Sequence, residues 1–137
     1  LETRPTRRSV LLIDDEALFL EVMVKVLGRH GITAHSATDG LVGIELMTRV
    51  HPDAVVLDLK MPGEGGLEVL RKIKELDPLI PVIILTGHGT VQAGIEAMDL
   101  KAFDFQMKPV AVDKLIEAIE EAIQSRDLVQ EASKRGG

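Results

Sequence analysis

The chain of 137 residues has no cysteine, no tryptophan and no tyrosine, and its aromatic residues are three phenylalanines. Without cysteine there is neither a disulfide framework nor thiolate chemistry, which excludes thiol redox function and permits a reducing cytoplasm. Long apolar runs are missing as well. Residues 10–13 and 82–85 are strand-sized pieces, far below the roughly 20 residues that a membrane-spanning helix needs. No basic start followed by an apolar stretch marks an export signal. The chain therefore reads as cytoplasmic, with no membrane partner. Positive charge is in deficit: 16 Lys and Arg against 22 Asp and Glu leave a formal charge of −6. Nucleic-acid affinity comes mainly from cations displacing counterions, so direct nucleic-acid binding is not expected. What remains is 45% hydrophobic and 28% charged, the balance of one folded domain.

Residues 1–8, with Pro5 and three arginines, show no apolar period and read as a flexible N-terminal tail. From Ser9 onward short β-branched runs alternate with stretches of helical period, the pattern of a parallel sheet covered by helices on both faces. Strands are expected at 10–13, 33–36, 54–57, 82–85 and 104–107, with the wholly apolar third one central. The first helix is expected to turn Phe19, Val22, Met23, Val26 and Leu27 inward and to stop at Gly28 or Gly31. The second, capped by Asp39, carries Val42, Leu46 and Met47 inward; the third carries Leu67, Leu70, Ile73 and Leu76. The fourth carries Ile95, Met98 and Leu100. The fifth starts at an Asp113 cap and buries Leu115, Ile116, Ile119 and Ile123. Residues 126–137 continue it as a linker to an output domain beyond this chain, a dimerising helix or a solvated helix end.

Ligands of such sheets bind at the carboxyl ends of the strands. Strand one ends in Asp14-Asp15-Glu16, strand three in Asp58, strand four in Thr86 and strand five in Lys108-Pro109. Each has a plain structural reading taken singly: a helix cap, a turn residue, a loop hydroxyl, a surface loop. Together they converge on one pocket. Two carboxylates about 4 Å apart repel by roughly 4 kcal/mol at an effective dielectric near 20, so positive charge must fill it. Lys108 supplies one charge and a divalent ion complements the rest. Mg²⁺ suits an all-oxygen site, whereas Zn²⁺ wants His or Cys; His30, His35, His51 and His88 are dispersed.

The segments Val10-Leu11-Leu12-Ile13-Asp14-Asp15-Glu16, Val56-Leu57-Asp58-Leu59-Lys60-Met61-Pro62-Gly63, Ile84-Leu85-Thr86-Gly87 and Phe105-Gln106-Met107-Lys108-Pro109 resemble the signature blocks of bacterial two-component response regulator receiver domains. The resemblance covers residues 9–125 and implies an α/β fold, a single doubly wound, flavodoxin-like, five-stranded parallel sheet of strand order 2-1-3-4-5. It implies that Asp58 accepts a phosphoryl group from a sensor histidine kinase or phosphotransfer protein. It assigns direct Mg²⁺ ligation to Asp15, Asp58 and the backbone carbonyl of Lys60, with Asp14 acting through water. Thr86 would bond a phosphoryl oxygen, Lys108 would pair with the carboxylate and then the phosphoryl group, and Phe105 would turn inward as the switch. The output surface, for an output domain, protein partner or homodimer, would be the fourth helix, fifth strand and fifth helix. These roles agree with phosphoryl transfer, where positioning and neutralisation of the oxygens do most of the catalytic work.

Lys101 stands where the family usually has glycine, Gln106 where it is usually apolar, and Gly65 where Asp is frequent. Lys60 and His88, two residues beyond Asp58 and Thr86, occupy positions that tune acyl-phosphate lifetime; a bulky Lys60 is expected to shield the phosphoryl group from water. The residues around Thr86 resemble receivers attached to transcriptional activators. An aspartyl-phosphate phosphohydrolase would carry its nucleophile on strand one in an Asp-x-Asp arrangement, which this chain lacks. A receiver that works without phosphorylation would have lost an acid, the Thr or the Lys, and none is lost. The chain therefore reads as a signalling switch rather than a metabolic enzyme.

Overall fold

The computed structural model describes residues 8–60, 65–87 and 90–136, the last four by backbone alone. Strands and helices alternate as β1 (Arg8–Ile13), α1 (Ala17–Arg29), β2 (Ile32–Ala37), α2 (Gly40–Val50), β3 (Ala54–Leu57), α3 (Gly66–Leu76), β4 (Val82–Thr86), α4 (Val91–Asp99), β5 (Asp104–Met107) and α5 (Val112–Gly136). The sheet is parallel throughout, in the order β2-β1-β3-β4-β5. The expected doubly wound fold is borne out, with β3 at the centre.

Every residue of β3 is buried, because a central parallel strand is covered on both faces and has no polar side. Alternation along the strands divides the core in two. Val10, Leu12, Val56, Ile83 and Leu85 pack under α1 and α5, while Leu11, Ile13, Val55, Leu57 and Ile84 pack under α2, α3 and α4. Asp39 caps α2 as expected, its side chain accepting the Val42 N–H at 2.9 Å. Gly31, at φ 78, lies just past the end of α1, so Gly28 falls inside the helix.

Several helix faces turn differently from the periodic reading. Val22, Val42, Leu76, Ile95 and Met98 are exposed, and Leu20, Gly43, Val69 and Ala97 face inward instead. Small residues decide two of these. A methyl on Gly43 would meet the Ile13 side chain at 2.5 Å, and one on Gly40 would meet Val69 at 2.6 Å, so α2 packs on its glycines and turns Val42 out. The tail boundary also shifts by one residue, since Arg8 lies opposite Ile32 in the β1–β2 ladder; residues 1–7 lie outside the described part. Asp113 is within the first turn of α5 rather than its cap.

Between α4 and β5, Lys101 adopts φ 73, a left-handed conformation costing an L-residue about 1–2 kcal/mol. At the other end α5 runs on without a break. Its Arg126 guanidinium lies 2.9 Å from the Asp77 carboxylate after α3, tying the start of the extension to the domain. No described helix is long and apolar enough to cross a membrane.

Candidate functional site

Four strand ends meet at one point. After β1 the Asp14 N–H still bonds the Ala37 carbonyl, and after β3 the Asp58 N–H bonds that of Ile13, so ladder hydrogen bonds carry both acids one step past their strands. Each is 4% exposed. Their outer oxygens are held too: Asp14 accepts the Glu16 N–H at 2.9 Å and Asp58 accepts the Lys60 N–H at 3.0 Å. Thr86, at the end of β4, is fully buried, and its carbonyl accepts the Lys108 N–H at 2.9 Å. That bond sets Lys108, before a cis peptide to Pro109, across from the acids.

The Lys108 ammonium donates to Asp14 at 2.7 Å, lies 3.4 Å from Asp58 and contacts Glu16. It also stands 4.6 Å from the centroid of the Phe19 ring, a cation–π distance. Burial alone would lower the Lys108 pKa. Hydrogen bonds to Asp14 and Glu16, with the charges of Asp14 and Asp58, outweigh it and hold the amine well above its usual value. For Asp14 desolvation is the largest influence and raises the carboxyl, against the lowering effect of its bonds to Lys108 and the Glu16 N–H; the Asp58 charge raises it further.

A cavity of about 670 Å³ opens over this cluster, lined by Asp15, Glu16, Phe19, Asp58, Lys60, Gly87, Lys108, Pro109 and Val110. Carboxylate oxygens of Asp14, Glu16 and Asp58 all lie within 4.8 Å of one another. Such an all-oxygen donor set fits a hard divalent cation of the Mg²⁺ kind and not a thiophilic metal.

The structure thus brings the Asp14, Asp58 and Lys108 side chains together, with the Thr86 backbone bonded to that of Lys108. Asp15 reaches the cavity wall but is exposed and outside the carboxylate cluster. Glu16 joins it instead, a residue to which the sequence reading gave no role. Period-two alternation beyond β1 is the signal that could have found it, since residues 14 and 16 fall on one side and 15 on the other. Lys60 is exposed at the cavity rim; His88 lies outside the described residues. Phe105 is half-buried, its ring 3.8 Å from where a methyl on Gly94 of α4 would stand. Gly66 was also missed: its N–H bonds the Leu59 carbonyl, and a methyl there would lie 2.3 Å from the Leu59 Cα, so only glycine lets the chain after Asp58 fold back onto α3.

The family model for the response regulator receiver domain matches residues 10–120. The chain belongs to this receiver family. The receiver is 38% identical over 126 residues to the C4-dicarboxylate transport transcriptional regulatory protein DctD of Rhizobium meliloti, covering 90% of this chain and 27% of that protein. It is 32% identical to sporulation initiation phosphotransferase F of Bacillus subtilis, covering 81% of this chain and 90% of that one. A response regulator receiver domain from Clostridium thermocellum superposes with a TM-score of 0.84 at 36% identity, covering 89% and 98% of the two chains. The receiver spans about a quarter of the length of the first curated relatives it matches. Membership in a two-component response regulator family, expected from the signature blocks, is borne out.

Proposed function

We propose that Asp58 is the phosphoacceptor of this receiver and takes its phosphoryl group from a phosphohistidine on a sensor histidine kinase or phosphotransfer protein. The observation that carries the reading is one ammonium, Lys108, held between two nearly buried carboxylates at the ends of different strands, 2.7 Å from Asp14 and 3.4 Å from Asp58. A buried like-charge pair is costly to fold, so its presence argues for a function that uses it. In the reaction an Asp58 oxygen attacks phosphorus while the donor's imidazole nitrogen leaves, giving an acyl phosphate. Lys108 pairs with the transferred group, and the Thr86 hydroxyl bonds one of its oxygens. Asp15 and the Lys60 carbonyl, with Asp14 through a water, are the groups that, with Asp58, would hold Mg²⁺. When bound, the ion neutralises charge building on the equatorial oxygens. Lys60 at the rim, and His88, would tune how fast water regains the phosphoryl group.

A phosphoryl group adds about −1.5 to −2 charge and three acceptor oxygens, drawing Thr86 and its loop toward Asp58. Phe105, whose ring lies beside Gly94, would follow that loop. Val91, Ile95 and Met98 of α4, with Met107 of β5 and Val112 of α5, expose apolar surface on the side that would move. That face is the proposed output surface, for a homodimer or an output domain joined through α5. The transcriptional regulators DctD and NtrC among the relatives, of which the match covers 27% and 25%, support an output segment of that kind in a cytoplasmic regulator.

Incubation with Mg²⁺ and a small-molecule acyl phosphate, followed by intact mass measurement, tests the reading. The wild type should gain one phosphoryl group and Asp58→Asn none. Equal labelling of both would refute it.

A further inference from the structure

Glu16 stands at the N-cap position just before α1, and its side chain makes no bond to that helix. Short side chains such as Ser, Thr, Asp and Asn ordinarily fill this position by accepting an N–H from the first turn, so the longer Glu16 side chain is left to reach elsewhere. Here the backbone of Glu16 is fixed to the acidic site by its N–H on the Asp14 carboxylate, and its own carboxylate is turned to the Lys108 ammonium. An ammonium has three donors, and Asp14, Asp58 and Glu16 are its three carboxylate neighbours.

The three differ in depth. The Asp14 and Asp58 side chains are 5% and 4% exposed, that of Lys108 is 16% exposed and that of Glu16 60%. Glu16 therefore marks the mouth of the site and the other two its floor. A divalent cation that binds the floor competes with the ammonium for the Asp14 and Asp58 oxygens. Without Glu16, Lys108 would have to give up its three present carboxylate partners to make room. With Glu16 there, it can retreat over the Phe19 ring and stay paired.

We propose that Glu16 is a positioning residue: it holds the Lys108 ammonium at the mouth of the site and so frees the Asp14 and Asp58 oxygens for a divalent cation. The inference rests on the reading above that such a cation enters there, and it gives Glu16 a role through Lys108 rather than as a metal ligand.

The test is Mg²⁺ titration by calorimetry in a thermodynamic cycle, with no phosphodonor present. Glu16→Gln should weaken Mg²⁺ binding by roughly five-fold, the upper reach of a partly exposed ion pair. Glu16→Asp, charged but one methylene short, should behave like Gln. In a Lys108→Met background, checked for folding by circular dichroism, Glu16→Gln should leave the affinity unchanged. An equal loss in both backgrounds would make Glu16 a direct ligand or a mere attractive charge and overturn the proposal. So would unaltered binding in the single variants, which require no change at Lys108. A wild-type chain that takes no Mg²⁺ would overturn the parent reading along with this one, whereas Mg²⁺ binding without later phosphorylation would sink the parent alone.

Discussion

α4 and α5 flank the same edge strand, β5, and treat their apolar residues in opposite ways. α5 buries Leu115, Ile116, Ala118, Ile119, Ala122 and Ile123 against α1 and the sheet. In α4 only Ala97 is buried, while Val91 is 82% and Ile95 50% exposed. Both helices carry a helical apolar period, so period identifies a helix without saying how firmly it is held. An element with few buried apolar groups opens locally at low free energy. On the proposed reading, α4 is thus the element that a change at Thr86 would move, and α5 the one it would move against.

Urea unfolding can break this contrast. Ile119→Ala in α5 should cost about 3 kcal/mol, as full truncations in a packed core do; a loss below about 1 kcal/mol would mean that α5 is no better anchored than α4. Arg126→Ala, which frees the α5 extension from Asp77, should cost about 1 kcal/mol, since the pair is mostly but not wholly buried. Lys101→Gly should stabilise the domain by about 0.5 kcal/mol by relieving the positive φ after α4, less than the full strain because glycine gains freedom when unfolded. Ile95→Ala should change stability by less than about 0.5 kcal/mol. A loss near that of Ile119 would show α4 to be docked and would remove the case for its movement.

The same contrast explains what was legible in the sequence. The strands were readable because a residue run apolar on both sides, such as 54–57, has no other home in a domain this size. The site was readable because acids, a hydroxyl and a lysine follow apolar runs where backbone geometry makes them converge. Helix facing was less readable. α2 turned on Gly43 because close approach to Ile13 outweighs burying Val42, and glycine adds nothing to an apolar period. Glu16 was hidden for a related reason: an acid before a helix already has a sufficient explanation as a cap, and only coordinates show that its side chain is not used as one. Gly66 depends on a backbone approach to Leu59 that no local pattern records.

The central claim is that Asp58 itself receives the phosphoryl group. Borohydride converts an aspartyl phosphate to homoserine, so donor-treated protein can be reduced, digested and sequenced by mass spectrometry. Homoserine at position 58, appearing with donor and Mg²⁺ together and lost when Mg²⁺ is chelated, is the predicted result. A reduced side chain at Asp14, Asp15 or Glu16 instead, or no reduced residue in protein that carries the label, would contradict it.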